Sequence, residues 1–379
     1  MRRWFPQLVH YSKMNYSDAL FFTGKCLTLG CYPDRIDEIR AAIRSGWVEW
    51  ERVVWVSTAH FVFPALYLQL KRAKLLSDLP SDLVEYMDEF TNLNRQRNQQ
   101  IIDQAIEITA LLNQHDICPI FLKGTAYLLD GLFEDIAERM LVDIDFLVPE
   151  KDMLRAAEIL INDGYHGRKD DEFYVKKSHF HYPGLIREGK IAGVEIHRWM
   201  LDMPYRKYFN YEYINDDKKK LELPVRAYVF SDSHQIINNI MVVQINDHGF
   251  WQGKIYLRQM YDLLLLSQKK DPIMLVKEFG HYFHRLNAYL AISTKIFANP
   301  PCISYEPTWQ SRLYLRRIRT DINYPKFARY YKFVFKMIRQ IFYYINVLFQ
   351  TTYRKDFRQF IFKKLRNPSW YGEHIRKLL

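Results

Sequence analysis

The segment 139–148 constrains the fold most strongly, because it places two acids inside an otherwise apolar strand. Apolar residues alternate with Asp143 and Asp145 over 142–146. Since successive side chains of a strand point to opposite faces, both carboxylates would lie on one face and the apolar side chains on the other. Two like charges this close repel unless a cation lies between them, and a divalent metal is the usual solution. The pair therefore predicts a hard-metal site, with magnesium favoured because it prefers oxygen ligands.

A strand, a glycine turn and a helix precede the acidic strand. Residues 118–122 are a short apolar run, Lys123 and Gly124 turn the chain, and 125–129 are helical in character. Gly124 would let the backbone approach a ligand closely, and the free N–H groups of the next helix would face an anion. Thr125 could cap that helix, and Lys123 could reach a phosphate. The alternative is an ordinary strand-to-helix turn without a ligand.

A further strand with polar side chains on one face is expected at 191–197. Val194 and Ile196 would face one way, and Glu195 and His197 the other. This strand can pair beside the acidic one, which would bring another carboxylate and an imidazole to the same sheet.

The chain divides into four predicted regions: a helical N-terminal region at 1–115, a core at 116–232, a helical region packing on the core at 233–299, and a basic, aromatic-rich helical tail at 300–379. Apolar residues recur every three or four positions in the first and third regions, as in amphipathic helices. We therefore predict an α+β fold, in which helices flank a mixed sheet.

The number of cysteines and the length of the apolar runs indicate the cellular compartment of the protein. The four cysteines lack zinc-site spacing and are too few for a disulfide framework, so we expect a reducing, cytoplasmic setting. Charged and polar residues interrupt the N-terminal segment, and Pro64 and several polar residues break the longest uncharged run, 53–70. We therefore expect neither a signal peptide nor a membrane-spanning helix.

The positive charge is concentrated at the C-terminal end. The formal charge is +11, but residues 311–379 carry 17 Lys and Arg against three acids, which leaves −3 for the first 310 residues. Basic residues interleave with aromatic and aliphatic ones, and this pattern fits an amphipathic helix on an anionic membrane, peripheral to the inner membrane. A helix packed on the main body with a solvated basic face is the alternative, and nucleic acid is not expected as the partner.

The order of these motifs resembles a known family. That order is Leu122-Lys123-Gly124, Arg139, Asp143-Ile144-Asp145, Gly164-Tyr165 and Glu195-Ile196-His197. It is similar to the uncharacterised nucleotidyltransferases associated with bacterial surface-polysaccharide clusters, a family placed in the polymerase-beta-like superfamily. The resemblance extends over about 47–266, and its most specific part is the acidic strand in context.

The resemblance implies transfer of an NMP group from an NTP to a hydroxyl or phosphate of a small acceptor. Asp143 and Asp145 would hold two magnesium ions, and Glu195 would be the third carboxylate. The glycine turn would hold the triphosphate through Lys123, Gly124 and Thr125. Many superfamily members carry Gly-Ser or Gly-Gly-Ser at this turn, so Thr125 would replace the serine hydroxyl.

Other roles remain open at this point. Arg139 could bind phosphate or neutralise the acidic strand, or it could be a surface arginine. His197 would donate a hydrogen bond to a carboxylate ligand, although His179, His181 and His197 together could form a zinc site. The alternative function is that of a non-catalytic nucleotide-binding or scaffold protein in a membrane-associated polysaccharide machine.

Overall fold

Helices predominate in the protein. A computed structural model describes residues 14–167, 180–201, 205–206 and 209–353, together with Arg358, Phe362 and Arg366. The segment 172–177, for which the sequence favours a strand, and His179 lie outside these residues. The helices of the described part are α1 Tyr16–Cys26, α2 Ile36–Arg44, α3 Trp50–Ala59, α4 Phe63–Arg72, α5 Ser81–Asn113, α6 Lys123–Leu129, α7 Met153–Asn162, α8 Tyr211–Asn215, α9 Asp232–Met241, α10 Gly249–Gln252, α11 Leu257–Leu266, α12 Pro272–Glu278, α13 Phe283–Ile296, α14 Trp309–Asn323 and α15 Pro325–Tyr353.

A five-stranded mixed sheet positions the acidic residues. Its strands are β1 Ile120–Phe121, β2 Asp143–Leu147, β3 Gly193–His197, β4 Lys219–Lys220 and β5 Tyr228–Val229, in the order β3-β2-β1-β5-β4. β2 pairs antiparallel to β1 and parallel to β3. The predicted α+β class, a small mixed sheet flanked by helices, is confirmed.

Within β2 the apolar and acidic residues separate as the alternation predicts, but Val142, expected on the apolar face, precedes the strand and is exposed. Ile144 and Phe146 are fully buried, and the ring of Phe146 meets that of Phe121 on β1 edge to face, with centroids 6.2 Å apart. Edge-to-face packing of this kind stabilises a core beyond the area it buries. The packed face therefore holds β2 in the register that turns its two aspartates to the opposite face.

The long helix α5 holds the segments that lead into both acidic strands. Its apolar stripe is buried as expected, and a polar stripe runs beside it. Asn98 donates to the carbonyl of Arg139 at 2.7 Å, just before β2. Gln104 donates to the carbonyl of Ala192 and accepts from its N–H, at 3.0 and 3.1 Å, just before β3. Because a buried hydrogen bond is costly to break without a replacement, these contacts from α5 fix where β2 and β3 begin.

One basic run of the chain forms the edge of the sheet. Its charges favour an exposed connection when the sequence is considered alone, but in the segment Lys218-Lys219-Lys220 the last two residues form β4. The Lys219 ammonium pairs with Asp130 at 2.6 Å and with Asp232 at 2.9 Å. These ion pairs connect the sheet edge to the end of α6 and the start of α9.

The described chain forms two compact units, 1–316 and 317–379. The first contains the sheet and the helices around it. The second contains α15, where Tyr331 donates to Asp321 and Lys332 lies 3.1 Å from the same carboxylate. Among the described helices, none combines the length and apolar character needed to cross a membrane.

Candidate active site

Two carboxylates and an imidazole meet where β2 and β3 run side by side. Asp145 pairs in register with Glu195, and Leu147 with His197. His197 Nε2 lies 2.8 Å from Asp145 Oδ1 and 3.6 Å from Glu195 Oε2. Ligand atoms of these three residues all lie within 4.8 Å of one another. Glu195 therefore lies beside the acidic strand, at the distance that a shared cation requires.

Lys123 places a positive charge on the same carboxylate. Its Nζ lies 2.7 Å from Asp145 Oδ1, the oxygen that also faces His197. Lys123 begins α6 with φ of +51°, a left-handed conformation that costs a residue with a side chain about 1 kcal/mol. The strained backbone thus turns the Lys123 side chain to the strand face that carries the aspartates.

These contacts set the protonation of the cluster. Burial alone would raise the pKa of Asp145, but Lys123 and His197 together lower it well below its ordinary value. His197 also lowers the pKa of Glu195, against the effect of burial. Both carboxylates are therefore ionised at neutral pH. Because an ionised carboxylate only accepts hydrogen bonds, His197 presents Nε2–H to Asp145.

Asp143 lies at the start of β2, on the same strand face as Asp145. Burial and the neighbouring Asp145 raise the pKa of Asp143, while Lys123 lowers it. Asp143 does not belong to the group of three whose ligand atoms come together, and His197 takes the third place there. The structure thus brings together Asp145, Glu195 and His197, with Asp143 at the edge of the cluster.

The glycine turn is more tightly packed than an open phosphate loop. α6 begins at Lys123, so Thr125 lies in its first turn and does not cap it; the N-cap residue is Leu122. The Thr125 hydroxyl instead donates to the carbonyl of Asp143 at 3.2 Å. A Cβ added at Gly124 would lie 2.2 Å from Leu141 Cδ2, so the close approach at this turn is to a core side chain. Gly124 and Thr125 therefore join α6 to the acidic strand.

Arg139 is buried in an ion pair and is not a surface arginine. Its Nε lies 2.9 Å from Asp262 Oδ1, and the two side chains are 5% and 1% exposed. Its Nη1 donates to the carbonyl of Met140 at 3.0 Å. Burial raises the pKa of Asp262, against the lowering effect of Arg139 and Arg258. Arg139 therefore contacts α11, and its expected role in phosphate binding remains a prediction.

Arg258 is a further cation near the site, in a segment that the family resemblance covers but for which the sequence motifs indicated no role. Its Nη1 donates to the carbonyl of Met140 at 3.0 Å, just before β2, and its guanidinium lies 4.9 Å from the ring centre of Phe61. Burial lowers the pKa of Arg258 to about 10, although Asp143 and Asp145 act to raise it. Arg258 and Asp262 are four residues apart on α11, a spacing that places them on one helix face.

The donor set fits a divalent cation. The carboxylates of Asp145 and Glu195 suit magnesium or manganese, and Asp143 adds a third carboxylate on the same strand face. His197 would bring a nitrogen, which manganese or zinc accepts more readily than magnesium does, only after Nε2 releases the proton that it directs to Asp145. The ring of His181 is tilted against that of His197, with centres 5.2 Å apart, and its Nδ1 faces the carbonyl of Tyr182. His179, the third histidine of the zinc alternative, lies outside the described residues.

The fold and this cluster define a class of protein: an α+β enzyme core with neighbouring acidic strands able to hold a metal. The sequence profile of one family, described as uncharacterised nucleotidyltransferase, matches residues 47–292, more than half of the chain. The chain belongs to this family, and it is a nucleotidyltransferase by family. Neither the curated proteins nor the solved structures contain a match to the chain.

Proposed function

We propose that the protein transfers an NMP group from an NTP to a hydroxyl or phosphate of a small acceptor, in a magnesium-dependent reaction. The observation that carries this proposal is the register of the two parallel strands, which sets Asp145 opposite Glu195. Membership of a nucleotidyltransferase family supplies the reaction class.

The three carboxylates Asp143, Asp145 and Glu195 are proposed to hold the metal, with two ions expected. A divalent ion would neutralise charge on the triphosphate and lower the pKa of the attacking group. Glu195 is more open than Asp145, with side chains 30% and 3% exposed, and it is therefore proposed to accept the proton of an acceptor hydroxyl. His197 would orient Asp145 through its hydrogen bond from Nε2.

The triphosphate is proposed to bind beside Lys123, with Gly124, Thr125 and Arg139 shaping that end of the site. Lys123 supports this most directly, because its ammonium already lies on the carboxylate face of β2. A triphosphate carries enough negative charge to draw Lys123 from Asp145 towards a phosphate oxygen. The movement would exchange one ion pair for another and leave Asp145 available to the metal.

The acceptor is proposed to be a sugar or sugar phosphate used in surface-polysaccharide synthesis, on the cytoplasmic side of the membrane. Contact with an anionic membrane through the basic C-terminal region would bring the enzyme close to such an acceptor. The alternative is a protein that binds nucleotide without turnover. This alternative has an observation in its favour, because Lys123 already neutralises Asp145.

Transfer of label from NTPs labelled at the α-phosphate, with magnesium and candidate sugar phosphates, tests the proposal. Asp145→Asn and Glu195→Gln should each abolish transfer, because each removes a charge facing the metal. Glu158→Gln, an exposed acid on α7, is the matched control and should retain activity. Nucleotide binding by the wild-type protein with no transfer to any acceptor would instead support the non-catalytic alternative.

Manganese binding followed by electron paramagnetic resonance tests the metal site without an acceptor. The wild-type protein should bind Mn²⁺ in the presence of nucleotide, and Asp145→Asn should weaken that binding at least about tenfold, the effect of losing one charged ligand. Equal affinity of the two proteins would refute the assignment of Asp145 as a ligand.

A further inference from the structure

Helix α15, Pro325–Tyr353, exposes an apolar face along its length. The exposed side chains follow one another at intervals of three or four residues, and each is between 38% and 68% accessible: Phe327, Tyr330, Val334, Ile338, Ile341, Ile345 and Leu348. With 3.6 residues per turn, this spacing keeps all seven on one side of the helix. Isolated exposed apolar residues need no explanation, but a continuous face of this size indicates a binding surface.

The basic residues of α15 lie on the opposite side. They are also spaced by three or four positions: Lys326, Arg329, Lys332, Lys336 and Arg339. No acid occurs in 325–353, so nothing within the helix neutralises them. Only Lys332 has an acidic partner among the described contacts, Asp321 at 3.1 Å. The helix therefore combines one apolar face with one strongly cationic face.

We propose that α15 is an anchor that lies in the plane of an anionic lipid surface. Its apolar face would enter the boundary between headgroups and acyl chains, and the five basic side chains would extend towards anionic headgroups. Aromatic rings favour this boundary, and the apolar face contains Phe327 and Tyr330. A helix of 29 residues is about 44 Å long, so the contact is extended.

The charges and the apolar face together favour lipid over other partners. Nucleic acid would pair with the basic side chains but would leave seven apolar side chains in water. A second copy of the chain could cover the apolar face, but it would bring two helices of the same positive charge together. An anionic membrane offers acyl chains to the apolar face and charged headgroups to the basic face, and each basic residue near the surface adds to the attraction.

Flotation of the full-length protein with vesicles tests this proposal. One set of vesicles contains phosphatidylcholine alone, and the other also contains phosphatidylglycerol. The wild-type protein should float with the anionic vesicles and progressively less as salt is added. Asp143→Asn should float like the wild type, so the result is independent of whether the chain is an active transferase.

Two adjacent substitutions separate apolar insertion from charge. Ile341→Asp and Gln340→Asp each add one negative charge, but position 340 is rotated by about 100° towards the basic side. Ile341→Asp should weaken binding about tenfold or more, because it removes an aliphatic side chain that would enter the lipid and places a carboxylate there. Gln340→Asp should weaken vesicle binding only a few-fold, because it offsets the attraction of a single positive charge. Far-UV circular dichroism checks that both variants keep their helix content.

Several results would overturn the proposal. One is the absence of binding to anionic vesicles, and another is equal binding by Ile341→Asp and the wild type. Binding of a DNA or RNA duplex that Ile341→Asp leaves unchanged would favour nucleic acid instead. A lipid-free dimer that Ile341→Asp dissociates in sedimentation velocity would assign the apolar face to a second copy of the chain.

Discussion

Arg139→Met should destabilise the protein strongly, because it leaves the Asp262 carboxylate in the core without its closest partner. The ion pair is 2.9 Å long and its two side chains are 5% and 1% exposed. Removing one member of such a buried pair costs about 3–5 kcal/mol. Arg258 still acts on Asp262, so we expect the lower end, about 3 kcal/mol. Since domains are stable by about 5–15 kcal/mol, this loss is large.

Urea unfolding followed by circular dichroism measures the effect, and Arg187→Met is the matched control. Arg187 pairs with Asp163 at the surface, where the side chains are 37% and 40% exposed, so its loss should cost at most about 1 kcal/mol. Replacing both members of the buried pair, Arg139→Met with Asp262→Leu, should recover much of the loss, because no charge then remains unpaired.

The same experiment separates a structural role for Arg139 from the predicted role in phosphate binding. Suppose that Arg139→Met unfolds at the same urea concentration as Arg187→Met but loses affinity for ATP. The buried ion pair would then contribute little to stability, and a structural role for Arg139 would be refuted in favour of a phosphate contact.

Three further changes have defined outcomes. Lys123→Asn removes the ammonium that neutralises Asp145, and asparagine tolerates the left-handed backbone at this position. The affinity for Mn²⁺ without nucleotide, measured by titration, should therefore rise roughly tenfold. Lys74→Asn, at another left-handed position, is the control. Gln104→Leu leaves the N–H and carbonyl of Ala192 unpaired and should cost about 2 kcal/mol in urea unfolding, with lower transferase activity because β3 carries Glu195. Burial lowers the pKa of His60 from 6.5 to about 4, so the free energy of unfolding should fall as pH decreases through that interval, by roughly 3 kcal/mol, and His60→Gln should abolish this dependence. Each expectation has one contradicting result. For Lys123→Asn it is an unchanged Mn²⁺ affinity, and for Gln104→Leu it is an unchanged unfolding midpoint. For His60→Gln it is the same acid sensitivity as the wild type.

The acidic strand was predictable from sequence because its cause is local. Alternation of apolar and acidic residues over 142–146 specifies which side chains share a face, whatever strand lies alongside. The family profile agrees with the order of motifs around it. The same local reasoning identified α15 as amphipathic, since helical periodicity depends only on spacing.

The partners of the site residues could not be predicted in this way, because they come from distant parts of the chain. The sequence left Arg139 as a phosphate ligand, a partner of the acidic strand or a surface arginine, and only the packing of α11 supplies Asp262 as its partner. Thr125 had the position of a helix cap, but the start of α6 at Lys123 turned its hydroxyl to a strand carbonyl. Local sequence leaves such choices open, since each depends on which buried group lies nearest in space.

The sequence by itself determined that Asp143 and Asp145 share a strand face and that the C-terminal helix has one basic and one apolar side, because both follow from the repeat of the backbone. Only the tertiary structure decided that Glu195 lies opposite Asp145 and that His197 and Lys123 converge on a single carboxylate oxygen. The register between strands that are about fifty residues apart depends on how the whole core packs, including the amides of α5 that hold both strands.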